Sequence, residues 1–299
     1  SIVAFSFGCN SIVQKFFLLK SKIDQINHRS SHSVTATKTG GISVFITLTF
    51  YTIYFYLTKN QIFDFSLMLP LGIIFVTGVY DDSYNADFKL KFLIQIIVAK
   101  LFIDYGFSIN NFYGFLGINE LSNILSQILS ILSFLIIVNS INFIDGIDGL
   151  ASSISIYIIL AFEFFTTKSV LINLNILLIM SLLPLFYFNF KKENKVFLGD
   201  AGSLLLGSII SINSFSFLSQ ENYSFSINPI FIFILILLYP IFDLARVFFI
   251  RIYNKKSPFI ADKIHIHHIL LNKINSQILT TVFLIGLNLI IFTFLILLK

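Results

Sequence analysis

Charged side chains are scarce in this sequence: they make up 12% of 299 residues, against 56% apolar and 16% aromatic. A soluble domain of ordinary composition is about 25% charged, so a globular core in water does not account for the chain. Disorder is excluded too, because it needs low hydrophobicity and high net charge. Cysteine is nearly absent. Cys9 alone is present, in an apolar stretch, so neither an intrachain disulfide nor a cysteine-based metal site can form. A basic leader and an A-x-A cleavage pattern are also lacking, and Ser1–Leu19 reads as a span rather than a signal peptide.

What is there is hydrocarbon. The mean hydropathy of +0.88 points to a polytopic membrane protein. At about 20 residues per span the length accommodates about ten helices with short loops. The net charge of +5 does not imply nucleic acid, since membrane proteins keep Lys and Arg in cytoplasmic loops. Apolar runs place ten helices at 1–19, 40–58, 65–80, 90–107, 123–141, 150–166, 170–189, 203–219, 229–250 and 276–298. Lipid offers the backbone no hydrogen-bond partner, so these runs are expected to be helical. The short alternating segments of a β-barrel are missing. One domain, 1–299, is expected.

The nine loops alternate between two sides. The odd loops and their flanks hold 15 of the 20 basic residues, from Lys20 to Lys273. That bias puts the odd loops in the cytoplasm and both termini outside. The same loops hold His28, His32, His265, His267 and His268, and the acids Asp81, Asp82, Asp145, Asp148, Asp200, Asp243 and Asp262. A pore or transporter would set its key charges at mid-membrane. Pooling acids, bases and glycines on one face suits a charged, soluble substrate. Within the spans, Lys100 and Asp104 read as an ion pair shielded from lipid, and Glu163 as a snorkelling end residue.

Four stretches carry chemistry. Asp81 and Asp82 end a helix, with Lys89 following; adjacent carboxylates there bind Mg²⁺ or share a base-and-orienter role. An interfacial loop without chemistry is as common an origin for such a pair. Asn139 through Leu150 has no Lys or Arg, yet holds Asn142, Asp145, Gly146, Ile147, Asp148 and Gly149. Its glycines permit tight turns and close ligand approach. Phe197 through Ser203 leads into a helix whose amides and dipole favour an anion such as diphosphate, with Asp200 beside it for a metal. Phe197 offers a face for a base, though read alone interface packing is the better account of it. The last stretch runs from Asp243 through Arg246 and Arg251 to Ser257 and His268. Its His-x-His-His lacks cysteine and helical zinc spacing, so phosphate or sugar recognition suits it better.

Taken in order, these stretches resemble the polyprenyl-phosphate N-acetylhexosamine-1-phosphate transferase superfamily, glycosyltransferase family 4. His265-Ile266-His267-His268 is similar to its WecA-like branch rather than to the peptidoglycan-precursor branch, MraY. The resemblance implies an all-α enzyme of about ten spans in a bacterial inner membrane, with its active site on the cytoplasmic face and both termini periplasmic. It implies transfer of an N-acetylhexosamine-1-phosphate from a UDP-N-acetylhexosamine, UDP-GlcNAc foremost, to undecaprenyl phosphate, releasing UMP. That reaction begins cell-envelope polysaccharide or O-antigen synthesis. Mg²⁺, with Mn²⁺ as a substitute, is implied as cofactor, held by Asp200 and Asp145. By the same carry-over Asp81, Asp82, Lys89, Asp145, His267 and His268 are catalytic. Asn142, Gly146, Ile147, Asp148, Phe197, Arg251 and His265 bind substrate, with uracil on Gly146, Ile147 and Asp148. A homodimer is compatible with this reading. Ala36 stands where the family commonly has Pro. The competing expectations are MraY itself and, from another class, a transporter of a lipid-linked substrate.

Overall fold

The computed structural model describes residues 1–21, 35–220, 226–257 and 263–298. His28, Arg29, His32 and Asp262 lie outside the described residues. All ten apolar runs are helical. The helices are α1 (Ile2–Leu19), α2 (Gly40–Leu57), α3 (Met68–Tyr84), α4 (Phe88–Asp104), α5 (Asn123–Ile144), α6 (Leu150–Phe165), α7 (Ile172–Asn189), α8 (Gly199–Leu218), α9 (Pro229–Ile236), α10 (Leu238–Tyr253), α11 (Ile266–Ile274) and α12 (Gln277–Leu297). Two short strands, β1 (Ala36–Thr37) and β2 (Lys195–Val196), pair in parallel and join the loops before α2 and α8.

Among the described residues seven segments are long and apolar enough to cross a bilayer, and eight if α9 and α10 count as one. The run over 229–250 is not one straight helix: it bends by 69° between α9 and α10. Pro240 explains the break. Its ring and missing N–H disturb the carbonyl four residues earlier, which is Ile236, where α9 ends. The last loop also holds more structure than a loop, since α11 begins at Ile266 and stops at Asn275 in the left-handed region (φ 56°).

Helix α8 is the axis of the bundle, buried along nearly its whole length between α3, α5, α2 and α6. In lipid, helices gain little by hiding apolar surface from one another, so close backbone packing through small residues matters more. A Cβ on Gly78 of α3 would lie 2.4 Å from Ala201 Cα, and one on Gly41 of α2 would lie 2.2 Å from Gly202 N. These contacts press the first turn of α8 against the ends of α2 and α3, where the acids are.

Two readings of intramembrane charge need correction. Lys100 and Asp104 do pair, but their side chains are 45% and 55% exposed on the last turn of α4, so the protein does not shield them. Glu163 does not snorkel outward. Its Oε1 accepts from Ser169 Oγ (2.7 Å) and from Asn175, which pairs with buried Asn213 of α8 (2.6 Å). Satisfying a carboxylate inside the bundle costs less than exposing it to hydrocarbon.

Candidate active site

One end of the bundle gathers the C-terminal ends of α3, α5 and α10 and the N-terminal ends of α2, α4, α6, α8, α11 and α12. Every sequence-derived candidate lies there.

The acidic pair divides its work. Asp82 caps α8: Oδ1 accepts from Asp200 N (3.1 Å) and Oδ2 from Ala201 N (3.0 Å). Lys38 Nζ stands 3.5 Å from it. Gly199 makes this possible, since its φ is +73° and a Cβ there would lie 2.7 Å from Asp82 Oδ2. The amides expected to greet a diphosphate are thus taken by a carboxylate of the protein. Asp82 thereby fixes the start of α8 against the end of α3.

Asp81 accepts from Ala86 N (2.9 Å) and is ion-paired with Lys91. Lys91 Nζ also lies 3.9 Å from Asp200 Oδ1. Lys89, the lysine singled out from sequence, is exposed. The lysine paired with Asp81 is Lys91. A signal for this was present: Gln95, one helical turn after Lys91, is the amide in an otherwise apolar run, and residues four apart share a face. Gln95 is buried and bonded to Asn139 (2.8 Å).

Asn142, near the end of α5, donates to Asp200 and to Ser203 Oγ (2.8 Å), clamping α5 to α8. Asp145, at the C-cap of α5, is half-buried. Burial, then the charges of Asp200 and Asp82, push its carboxyl up to about 8. The carboxyl groups of Asp81, Asp82, Asp145 and Asp200 are thus gathered around the first turn of α8.

Beyond Asp145 the chain turns through Gly146 and Gly149 into α6. The Ile147 side chain is buried in the core, so what this residue offers a ligand is backbone. Asp148 is 5% exposed and ion-paired with Lys195 of β2. Gln277 Oε1 accepts from its N–H (3.0 Å), and Thr281 donates to its carbonyl (3.0 Å). Lys195, Gln277 and Thr281 were missed in the sequence because they lie 47, 129 and 133 positions from Asp148. Phe197 is half-buried; its N–H donates to Thr37 (2.8 Å) and its carbonyl accepts from Gly40 N (2.9 Å).

The histidine segment closes the site. The rings of His265 and His267 stack 5.6 Å apart, and His268 lies 4.2 Å from His267. His267 is fully buried, and neither ring nitrogen has a hydrogen-bond partner among the described residues. Burial, then its histidine neighbours, hold it well below the usual range, so it is neutral. Gly146 admits it, since a Cβ there would lie 2.4 Å from His267 Nε2. Buried Arg251 sits over the Phe143 ring (5.9 Å), which also meets His265 (5.5 Å). Among the described residues no three His, Cys, Asp or Glu side chains form a metal cage.

Polar groups gathered at one end of an apolar helical bundle mark the candidate site of a polytopic membrane protein. The glycosyl transferase family 4 model matches residues 64–218. The chain belongs to that family of transferases. It is 31% identical to a probable undecaprenyl-phosphate N-acetylglucosaminyl 1-phosphate transferase of Bacillus subtilis, over 86% of this chain and 72% of the relative. Undecaprenyl-phosphate alpha-N-acetylglucosaminyl 1-phosphate transferases of Pasteurella multocida (34%, 83% of this chain, 71% of the relative) and Haemophilus influenzae (32%, 83% and 71%) are also similar.

Proposed function

We propose that this enzyme transfers N-acetylglucosamine-1-phosphate from UDP-GlcNAc to undecaprenyl phosphate at the cytoplasmic face of a bacterial inner membrane. The observation that carries this reading is Lys91, held between Asp81 and Asp200 from two other helices. An ammonium flanked by carboxylates at a bilayer surface suits the meeting of two phosphate groups, one on a lipid and one on a nucleotide. The names of the B. subtilis and P. multocida relatives support the substrate pair.

The balanced reaction joins an oxygen of the lipid phosphate to the β-phosphorus of UDP-GlcNAc. The bond from that phosphorus to the bridging oxygen breaks, and the oxygen leaves with UMP. Phosphoryl transfer is mostly positioning and charge stabilisation. Asp81 and Lys91 place the lipid phosphate. Lys38 and Lys195 lie at the donor side, Lys195 with Asp148 by the turn that receives the uracil. His265, His267, His268 and Arg251 face the sugar and diphosphate.

Mg²⁺ fits this donor set, because it takes one or two protein carboxylates and keeps waters and phosphate oxygens for the rest. Asp200 and Asp145 would hold it. Burial first, and then the neighbouring Asp200 and Asp82, disfavour the charged form of Asp145, and a divalent cation there would favour it again. When bound there it neutralises charge developing on the diphosphate.

The test is direct. Purified enzyme receives undecaprenyl phosphate, Mg²⁺ and one donor: UDP-GlcNAc, another UDP-N-acetylhexosamine or UDP-N-acetylmuramoyl-pentapeptide. UMP release with UDP-GlcNAc is expected. UMP only with the pentapeptide would move the enzyme to the peptidoglycan branch, and none at all would sink the proposal.

A further inference from the structure

Asp243, on α10, is the most completely used carboxylate in the described residues. It is fully buried. Its Oδ1 accepts from Arg246 Nη2 (2.8 Å) and from Ile266 N (3.0 Å), and its Oδ2 meets His265 Nδ1 at 2.8 Å. Arg246 also donates to the Ile264 carbonyl. A carboxylate engaged in this way does not reach substrate. It ties the start of α11 to α10 from both sides of His265.

His265 passes that constraint on. Its ring stacks on His267 at 5.6 Å with planes 17° apart. His267 in turn presses on the Gly146 turn, with unpartnered nitrogens and no solvent exposure. The nitrogen of an imidazole that is bonded to a carboxylate decides what the other nitrogen can do. With Nδ1–H given to Asp243, the Nε2 of His265 is left bare as an acceptor.

We propose that Asp243 is a positioning residue for the sugar-phosphate transfer: it fixes His265 in one tautomer and, through the stacked rings, sets His267 against the Gly146 turn. This rests on the function proposed above. Asp243 acts on the donor side only, because Asp81 and Lys91, which serve the lipid, stand on α3 and α4.

Asp243→Asn tests it with little change of shape. Arg246 and Ile266 are both donors, so the amide oxygen must stay on their side. The amide NH₂ then faces His265 Nδ1 and forces the proton to Nε2. Turnover per folded enzyme is expected to fall on the order of ten- to a hundred-fold, by analogy with the loss of an outer hydrogen bond from a metal-ligating histidine. The KM for undecaprenyl phosphate should stay unchanged.

His265→Phe keeps the stack and loses both nitrogens, so it should show the same loss. The double variant should be no worse than either single one, since residues acting through one another are not additive. In ¹⁵N-histidine-labelled protein, one imidazole should switch tautomer in Asp243→Asn, and that signal should be missing in His265→Phe. A merely structural Asp243 would lower Tm but leave turnover per folded enzyme as it was. That result, or a double variant whose loss is the product of the two, overturns the proposal. Should Asp243→Asn fail to fold, wild-type turnover in both His265→Phe and His265→Gln also overturns it, because nothing would remain to be positioned. The tautomer readout needs no substrate. Failure of wild-type enzyme to release UMP would therefore sink the assigned reaction separately, leaving the spectrum to decide on Asp243 and His265.

Discussion

Lys91 Nζ lies 3.9 Å from Asp200 Oδ1 while it is ion-paired with Asp81, so one ammonium links α4 to α8 and α3. Removing it leaves two carboxylates facing each other with no cation between them. Lys91→Met is expected to cut turnover about a hundred-fold, the scale for losing one preorganised charge contact. Lys89→Met should stay within about three-fold of wild type, since its side chain is exposed and contributes as surface charges do. Steady-state UMP release from both variants decides the choice of lysine. Equal losses would return Lys89 to the site.

Asp200 is the carboxylate to which Asn142 and Lys91 both point. Asp200→Asn keeps an oxygen for Asn142 but removes the charge a cation needs. Turnover should fall about a hundred-fold or more, with folding kept, because metal-assisted charge stabilisation is worth several kcal/mol. Raising Mg²⁺ should not restore it. A near-normal rate at saturating Mg²⁺ would end the metal assignment for Asp200.

Much of this architecture was legible because apolar runs in lipid have one solution, the helix, and polar residues concentrate where helices end. The ten runs were readable on that basis, and the four polar stretches singled out from sequence fall at one end of the bundle. The choices inside a stretch were less so. Lys89 and Lys91 differ only in the face of α4 they occupy, and Gln95 was the small clue. Asp82 was legible as the neighbour of Asp81, but its capping of the α8 amides was not. That depends on how closely Gly78 lets α3 approach Ala201, a long-range packing fact. The bend before α10 was encoded by Pro240 but masked by continuous hydrophobicity on either side.

The Asp145 carboxyl predicts a pH dependence. Its pKa rises from 3.8 to about 8 on folding. Between about 4, the ordinary unfolded value, and 8 the folded state binds more protons than the unfolded one. Stability then falls as pH rises through that window. In EDTA, the Tm of the wild type should drop more steeply from pH 5 to about 8 than that of Asp145→Asn, and Mg²⁺ should flatten the wild-type curve. Parallel curves for the two proteins in EDTA would show that Asp145 titrates normally.

The orientation proposed for the site follows from the basic residues, which favour cytoplasmic loops. With Cys9→Ala as background, a cysteine at exposed Ser257, just after α10, is expected to resist an impermeant thiol reagent in intact cells and to react after lysis. A cysteine at exposed Lys59, at the other end of α2, should react in both. Labelling of the Ser257 position from outside would invert the topology.

The two substrates should depend on different parts of the site. Asp81, with Lys91, stands at the α3–α4 end, the side proposed for the lipid phosphate. Asp148 is buried beside Lys195 and anchored by Gln277 and Thr281 from α12, a rigid setting suited to a nucleobase. Asp81→Asn should therefore slow turnover while UDP-sugar binding persists. Asp148→Ala removes a contact made both before and during reaction, so it should raise the apparent KM for the nucleotide sugar. It also frees Lys195, whose ammonium would then attract the diphosphate without discriminating the base; a part of the binding should survive while preference for uridine over other nucleotides declines. Calorimetry with UDP-GlcNAc, UDP and ADP on both variants measures this. Loss of nucleotide binding in Asp81→Asn, with Asp148→Ala unaffected, would place the uridine pocket at the α3–α4 loop.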